Sequence, residues 1–222
     1  MMELYIANKN YSSWSMRPWL VLEAFQLPFQ EHIIPFSEDP TGGQFKQTLK
    51  VLHDNAKVPV LTDGEVLIWD SLAICEYLAE QYPEHALWPK HVAQRAWARS
   101  ICAEMHSSFT TLRSLCSMNI QADFSAQGKM LWEAHAELRD EVARIEYIWA
   151  QRSQLSAFLC GEFSIADAFY APVVMRLKSF QLPVSANAQH YMQQVLQHPA
   201  VMQWIEAAQK EQPLARMEQY SR

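Results

Sequence analysis

Residues 11–18 read Tyr11-Ser12-Ser13-Trp14-Ser15-Met16-Arg17-Pro18 and lie where a strand pattern gives way to a helix pattern. A short apolar run, Leu4 to Ala7, precedes them, and a helix-like run, Trp19 to Phe25, follows them. A proline is tolerated in the first turn of a helix, where its missing N–H would have no partner. Pro18 therefore predicts that the helix begins near Ser15.

The serines of this turn are candidate ligand-binding groups. Ser12 and Ser13 would stand on the loop just before the helix, with their hydroxyls free to face a ligand. Free backbone N–H groups and the positive end of a helix together suit an anion. The alternative is that the serines only cap the helix, which is the commoner role of serine at such a position.

Bulk composition narrows the class of protein. The chain of 222 residues is long enough for one large domain or two small ones, and 50% of it is apolar, enough for a substantial core. Its net charge of −6 and its lack of a long basic run argue against nucleic acid or an anionic membrane as a partner. No apolar run approaches the roughly 18 residues that span a bilayer, and the N-terminus has no basic segment followed by an apolar one. We therefore expect a cytoplasmic protein that acts on small molecules.

The cysteines and histidines do not indicate a metal site. The four cysteines are widely scattered, and neither they nor the eight histidines show metal-ligand spacing. We expect the cysteines to be buried, reduced thiols and predict no metal.

The chain divides near a stretch bracketed by two prolines. Strand and helix patterns alternate before it, and nearly everything after it has helical period. We predict a first domain over residues 1–82, a linker over 83–90 and an all-helical domain over 91–222.

The first domain is predicted to be thioredoxin-like, with the order β-α-β-α-β-β-α. Leu4–Ala7 and Glu31–Pro35 form a β-α-β unit with the first helix, so these two strands should be parallel. Asp63-Gly64 is a strong hairpin signal, so Val58–Thr62 and Glu65–Trp69 should be antiparallel neighbours.

The second domain is predicted to open with one long helix, His91 to Met118, followed by another over about 128–151. One face of the first helix is assigned to the core: Ile101, Met105, Ser108, Leu112 and Leu115. A different stripe is assigned to a cleft, a subunit contact or a solvated face: Arg95, Arg99, Cys102, His106, Phe109 and Arg113. Ser164-Ile165-Ala166-Asp167 fits a capping box at the start of a third helix. Two further helices are expected near 188–196 and 199–210.

Four motifs, in this order and spacing, carry a resemblance to a known family. They are Ser12-Ser13-Trp14-Ser15-Met16-Arg17, Val58-Pro59-Val60-Leu61, Asp70-Ser71-Leu72-Ala73-Ile74 and Ser164-Ile165-Ala166-Asp167. They resemble the active-site turn, the cis-proline segment, the acid–serine motif and the C-terminal folding motif of cytosolic glutathione S-transferases. The resemblance covers essentially the whole chain and is nearest to zeta-like bacterial members of the serine type.

The resemblance implies how glutathione, the co-substrate, would bind. Ser12 would donate to the thiolate, with Ser13 as a second donor. The backbone of Val58, before a cis Pro59, would pair with the cysteinyl backbone, and Asp70 and Ser71 would hold the γ-glutamyl end. Lys46, Gln44 or Lys57 would hold the glycine carboxylate, although the segment before Val58 departs from the family pattern.

The implied activity is that of a glutathione S-transferase, which activates the thiol for attack on an electrophile, as in detoxification. The implied electrophile site consists of Met105, His106, Phe109, Arg113 and Arg176. One alternative is a zeta-like cis-trans isomerase of the maleylacetoacetate type. Its usual arginine is replaced by Ser179 here, and Arg176 or Arg113 would have to substitute for it. Another alternative is a non-catalytic, transferase-like binding scaffold. A homodimer is also implied, and neither nucleic acid nor a membrane is expected as a partner.

Overall fold

A computed structural model of the chain describes residues 1–39 and 41–218, so the last four residues of the predicted second domain lie outside the described residues. The sheet has four strands in the order β2-β1-β3-β4. They are β1 (Met2–Ile6), β2 (Phe29–Ile33), β3 (Val60–Asp63) and β4 (Val66–Trp69). β1 and β2 are parallel, while β1 and β3, and β3 and β4, are antiparallel. The predicted parallel pair and hairpin are confirmed.

Three helices flank these strands, which confirms the predicted thioredoxin-like order. They are α1 (Ser13–Ala24), α2 (Gly43–Leu52) and α3 (Ser71–Gln81). A short 3₁₀ helix, Pro83–His85, lies in the expected linker.

The remaining described helices make the second part of the chain entirely helical, apart from isolated bridges at residues 158–162. They are α4 (Val92–Ser107), α5 (Thr110–Leu115), α6 (Ser125–Ala134), α7 (Ala136–Trp149), α8 (Ile165–Ser179), α9 (Ala186–Leu196), α10 (Pro199–Gln209) and α11 (Ala215–Glu218). The predicted helices near 188–196 and 199–210 are confirmed. No helix in the described part of the chain is both long and apolar enough to cross a membrane.

The prediction of two long uninterrupted helices is wrong. The first is broken at Phe109, whose φ of 55° is left-handed. The carboxylate of Glu141 accepts the N–H groups of Thr111 and Leu112, at 3.1 and 2.7 Å, and so supplies a new N-terminus for α5. The second is broken at His135, where the chain is extended.

A continuous apolar core joins the two parts of the chain. α1 packs against α3, α8 and α10. α8 is buried along almost its whole length, and its first turn holds the predicted capping box between Ser164 and Asp167. The core therefore fixes α1 and the turn that precedes it.

The four cysteines are free thiols, as predicted. Cys75, Cys102 and Cys116 are buried, and Cys160 is half-buried. Burial raises the pKa of Cys116 and of Cys160 to about 12, so neither thiol is ionised near neutral pH.

Candidate active site

A cleft of about 630 Å³ lies between the first domain and α5. The turn that precedes α1, the segment that precedes β3 and the start of α3 together form most of its wall. Its lining residues are Tyr11, Ser12, Ser13, Trp14, Phe36, Phe45, Lys46, Asn55, Ala56, Lys57, Val58, Pro59, Trp69, Asp70, Ser71 and Arg113. Residues from three of the four sequence motifs therefore meet around one cavity.

The serine turn differs from its prediction in where the helix begins. α1 starts at Ser13 rather than near Ser15, and Ser12 occupies the N-cap position without making a side-chain cap. The Ser12 hydroxyl instead donates to Ser15 Oγ at 2.7 Å. Ser15 is fully buried and its Oγ also accepts the N–H of Ala7 at 3.3 Å. Ser15 therefore ties the turn to the end of β1, and neither Ser12 nor Ser15 makes the helix cap that was the alternative for these serines.

Arg176 lies behind the serine turn and does not line the cleft. Its guanidinium donates to Ser13 Oγ at 3.1 Å and to the carbonyl oxygens of Arg113 and Cys116. Burial, with a contribution from Arg113, lowers the pKa of Arg176 to about 10. The Arg176 guanidinium thus donates to other groups of the protein. The sequence analysis instead expected it to contact an electrophile.

The other residues expected at the electrophile site separate into two groups. Met105 and Phe109 are buried in the hydrophobic core and do not line the cleft. Arg113 does line it, with its guanidinium 4.7 Å from the centre of the Trp14 ring. The stripe assigned from sequence assumed one unbroken helix, and the break at Phe109 turns that side chain inward.

His106 approaches the cleft through its neighbours. Its Nε2 lies 3.2 Å from Asp70 Oδ2, and its ring meets the edge of Trp14. Burial lowers the pKa of His106, and the nearby Asp70 partly offsets that shift. His106 therefore links α4 to the start of α3 rather than lining the cavity.

Asp70 and Ser71 stand at the start of α3. Asp70 has a φ of 78°, and its Oδ1 accepts the N–H groups of Leu72 and Ala73 at 2.8 and 3.3 Å. Ser71 is fully buried and lines the cleft, and Nη1 of Arg17 lies 3.4 Å from its Oγ. Asp70 is therefore an N-cap whose second oxygen faces His106.

The remaining lining residues include the segment before β3. The Val58–Pro59 peptide bond is cis, as the resemblance implies. Lys57 and Lys46 both line the cleft, whereas Gln44 is not among its lining residues. Together with Arg113 they place three cations around the cleft against one carboxylate, that of Asp70. The cleft suits an anionic ligand.

The sequence reasoning assigned no role to the aromatic residues and Arg17 in this site. Trp14 stands between the serines in the sequence, and the guanidinium groups of Arg17 and Arg113 lie over its ring, 4.2 and 4.7 Å from the ring centre. Trp69 stacks with His53 at 4.1 Å between ring centres. The position of Trp14 inside the serine motif was a usable signal, while the stacking of Trp69 depends on the fold.

The loop before Ser12 is held by the C-terminal part of the chain. The Glu211 carboxylate accepts the N–H groups of Lys9 and Asn10 at 2.7 and 3.1 Å. The Tyr11 hydroxyl donates to Glu218 at 2.6 Å and accepts the N–H of Leu214 at 2.9 Å. We call residues 211–218 the C-terminal clasp. The clasp fixes the loop from which Ser12 is presented.

No group of three or more His, Cys, Asp or Glu side chains within residues 1–39 and 41–218 is arranged to hold a metal ion.

Comparison with known proteins shows what the chain is similar to. Residues 11–81 match the family described as "Glutathione S-transferase, N-terminal domain". Glutathione S-transferase GstB of Escherichia coli K12 is 28% identical over 206 residues, which cover 87% of this chain and 93% of GstB. The probable maleylacetoacetate isomerase of Vibrio cholerae is 32% identical over 139 residues, which cover 61% of this chain and 64% of that protein.

A glutathione transferase homologue from Burkholderia, solved with bound glutathione, superposes with a TM-score of 0.66 at 22% identity, over 95% of this chain and 99% of that one. The four-stranded sheet, its helices and the helical second part therefore form the glutathione transferase fold. Together, these matches support the glutathione S-transferase family for this chain.

Proposed function

We propose that this chain is a serine-type, zeta-like glutathione S-transferase that activates the thiol of glutathione for attack on an electrophilic small molecule. The observation that carries the proposal is the state of Ser12. Its hydroxyl occupies a helix N-cap position, makes no cap and lines the cleft. A serine that leaves the helix uncapped has no capping bond to break before it donates to a ligand.

Activation of the thiol needs a preference for its ionised form. A free thiol has a pKa of about 8.5, and lowering it by two units corresponds to about 2.7 kcal/mol. The Ser12 hydroxyl donates to Ser15 in the free protein, and rotation toward the sulfur would exchange a neutral acceptor for an anion. The N-terminus of α1 adds its dipole to the same anion, and Ser13 is the second donor.

The tripeptide would lie along the cleft with each charged end on a polar or oppositely charged partner. Ser71 would hold the γ-glutamyl carboxylate and Asp70 the ammonium, since both stand at the start of α3. The backbone of Val58, beside Pro59, would pair with the cysteinyl residue as an added strand does. Lys57, or Lys46 beside it, would receive the glycine carboxylate.

Titration of the bound thiol tests this function. Glutathione is added to the purified protein and the ultraviolet absorbance of the thiolate is followed against pH. We expect the bound thiol to titrate below the pKa of free glutathione, and a generic aryl halide electrophile to be consumed. Retention on immobilised glutathione without thiolate formation or turnover would instead indicate the non-catalytic scaffold.

The isomerase is the second candidate, and Arg113 favours it. This guanidinium lines the cleft above Trp14 and has no carboxylate partner among the described ion pairs. Its Nη1 donates to the carbonyl oxygens of His106 and Ser108, at 3.2 and 3.3 Å, so Nε and Nη2 are the donors left for a ligand. It could receive a substrate carboxylate while glutathione adds to a maleyl-type double bond. Incubation of maleylacetoacetate with the protein and glutathione would separate the two reactions, because only the isomerase regenerates free glutathione.

We further propose a cytoplasmic homodimer. The chain has a mass of 25.7 kDa. Sedimentation at several concentrations should show a species of twice that mass, and a monomer at every concentration would contradict the dimer.

A further inference from the structure

Arg17 is a buried cation next to the cleft. Arg17 is 2% exposed. Its guanidinium carbon lies 4.2 Å from the centre of the Trp14 ring and 4.7 Å from the centre of the Phe169 ring. Aromatic faces attract a cation but replace only part of its hydration. Arg17 therefore needs a further polar partner.

The protein offers the Arg17 guanidinium few polar partners. Arg17 Nε is buried without a hydrogen-bond partner, and none of the ion pairs among the described residues includes Arg17. Lys9, which is also buried, has Glu31 Oε2 at 2.7 Å. The same chain therefore pairs one buried cation with a carboxylate and leaves the other without one. Burial, with repulsion from Arg113 and Arg176, lowers the pKa of Arg17 to about 9.

The contact of Arg17 with Ser71 points toward the cleft. Nη1 lies 3.4 Å from Ser71 Oγ, so the serine oxygen accepts from the guanidinium. A hydroxyl that accepts in this way keeps its own proton for donation, and a cationic donor behind it strengthens that donation. Ser71 lines the cleft at the first residue of α3, where the helix dipole also favours an anion.

We propose that Arg17 is a positioning residue that acts through Ser71 to select a ligand carboxylate at this end of the cleft. This inference rests on the proposed function, in which the ligand is glutathione and the carboxylate is the α-carboxylate of its γ-glutamyl residue. The bound carboxylate supplies the negative charge that the free protein does not place beside Arg17. Binding of glutathione is thereby coupled to neutralisation of a buried charge.

The test combines a protein variant with a ligand variant. Glutathione and its analogue with that α-carboxyl converted to an amide are titrated into wild type and Arg17→Met by calorimetry. We expect the wild type to bind the amide about 10- to 100-fold more weakly than glutathione, the loss of a hydrogen bond to a charged group. Arg17→Met should bind glutathione more weakly by a similar factor, but should distinguish the two ligands by less than about threefold.

Two further variants control the experiment. Arg17→Lys keeps the charge and should retain part of the discrimination. Arg144→Met removes a half-exposed guanidinium that pairs with Glu104 at 2.7 Å, and it should behave as wild type. In the absence of ligand, Arg17→Met should unfold at the same temperature as wild type or a higher one, because it removes an unmatched buried charge.

Three results would overturn the inference. One is an equal loss for the amide analogue in wild type and Arg17→Met, which would make Arg17 purely structural. Another is an Arg17→Met protein that is unfolded or melts well below wild type. The third is a raised thiol pKa with unchanged affinity, which would place its effect at the sulfur. A wild type that binds no glutathione would overturn the proposed function as well, so the two failures are distinguishable.

Discussion

The starts of α1 and α8 share a serine at the N-cap position but use it for different purposes. Each helix is preceded by a serine, Ser12 in one and Ser164 in the other. Ser164 Oγ accepts the N–H of Ala166 at 3.3 Å, and Asp167 in turn accepts the N–H of Ser164 at 3.0 Å. Ser12 accepts nothing from its helix and donates to Ser15.

The residue three positions after each serine accounts for the difference. At α8 it is Asp167, whose carboxylate closes a capping box and commits the serine to folding. At α1 it is Ser15, which is tied to the N–H of Ala7 and cannot serve in that way. At these two helices the acid at this spacing accompanies the serine that caps, and its absence accompanies the serine that lines the cleft. The acid is not required for a cap, since Ser185 accepts the N–H of Ala188 at the start of α9.

Removal of Asp167 should produce the largest effect. Its carboxylate accepts the N–H groups of Leu159 and Ser164 and the hydroxyls of Ser164 and Tyr191, all buried. Asp167→Ala leaves these donors unsatisfied at about 1–3 kcal/mol each, so the free energy of unfolding should fall by at least about 4 kcal/mol. Urea denaturation measures it, with the exposed Asp140→Ala as the control. A loss below about 1 kcal/mol would show that the box is not essential to folding.

Whereas Asp167→Ala mainly lowers stability, Ser12→Ala should mainly lower activity. It removes a hydrogen bond to a charged sulfur worth about 1.5–3 kcal/mol, so the pKa of the bound thiol should rise by about one to two units. Turnover near neutral pH should fall roughly 10- to 100-fold, with residual activity supported by the helix dipole. Thiolate titration of Ser12→Ala, Ser13→Ala and Ser15→Ala measures the shift.

Ser13→Ala should raise the thiol pKa less. Ser15→Ala should cost mainly stability, because it removes the acceptor for the N–H of Ala7. If none of the three variants moves the titration, backbone N–H groups hold the thiolate and the serine mechanism is wrong.

Ser164→Ala is the matched partner of Ser12→Ala. Loss of this cap should lower the free energy of unfolding by about 1–2 kcal/mol. The activity of the folded protein should not change, since Ser164 is outside the cleft. Chemical denaturation and turnover are measured on the same preparation. A fall in activity without a fall in stability would contradict the assignment of Ser164 to folding and of Ser12 to ligand binding.

Asp70→Ala tests a helix start that combines both roles, with the smallest expected effects. Removal of its cap should cost about 1 kcal/mol of stability. Its half-exposed carboxylate should contribute modestly to holding the ammonium, so glutathione affinity should fall roughly two- to fivefold. The kcat at saturating glutathione should be unchanged, because the residue lies away from the sulfur. A reduced kcat with an unchanged KM would contradict this assignment.

Local sequence signals predicted the elements that depend on neighbouring residues. The hairpin at Asp63-Gly64 and the capping box at Ser164 are examples, and both are determined within four residues. The break at Phe109 was not predictable in this way, because the carboxylate that starts α5 comes from Glu141, about thirty residues later. Long-range partners of this kind leave no periodic trace in the sequence.

The same limit applies to the candidate site. The serine turn, the cis-proline segment and the start of α3 were found from motifs, and the structure places them around one cleft. The burial of Met105 and Phe109 and the commitment of Arg176 to backbone carbonyls depend on packing between helices. Residue type alone did not distinguish a guanidinium that faces the cleft, as in Arg113, from one that does not.

The C-terminal clasp has a consequence for when the candidate active site forms. The bonds from Glu211 to Lys9 and Asn10 join residues that are 202 and 201 positions apart. During synthesis the loop that presents Ser12 leaves the ribosome early, and its fixing partners arrive only after about two hundred further residues. Such distant contacts form late because loop closure costs entropy. A nascent chain can therefore complete its sheet long before the loop that presents Ser12 is fixed. Under the proposed function, activity would appear only after the whole chain has folded.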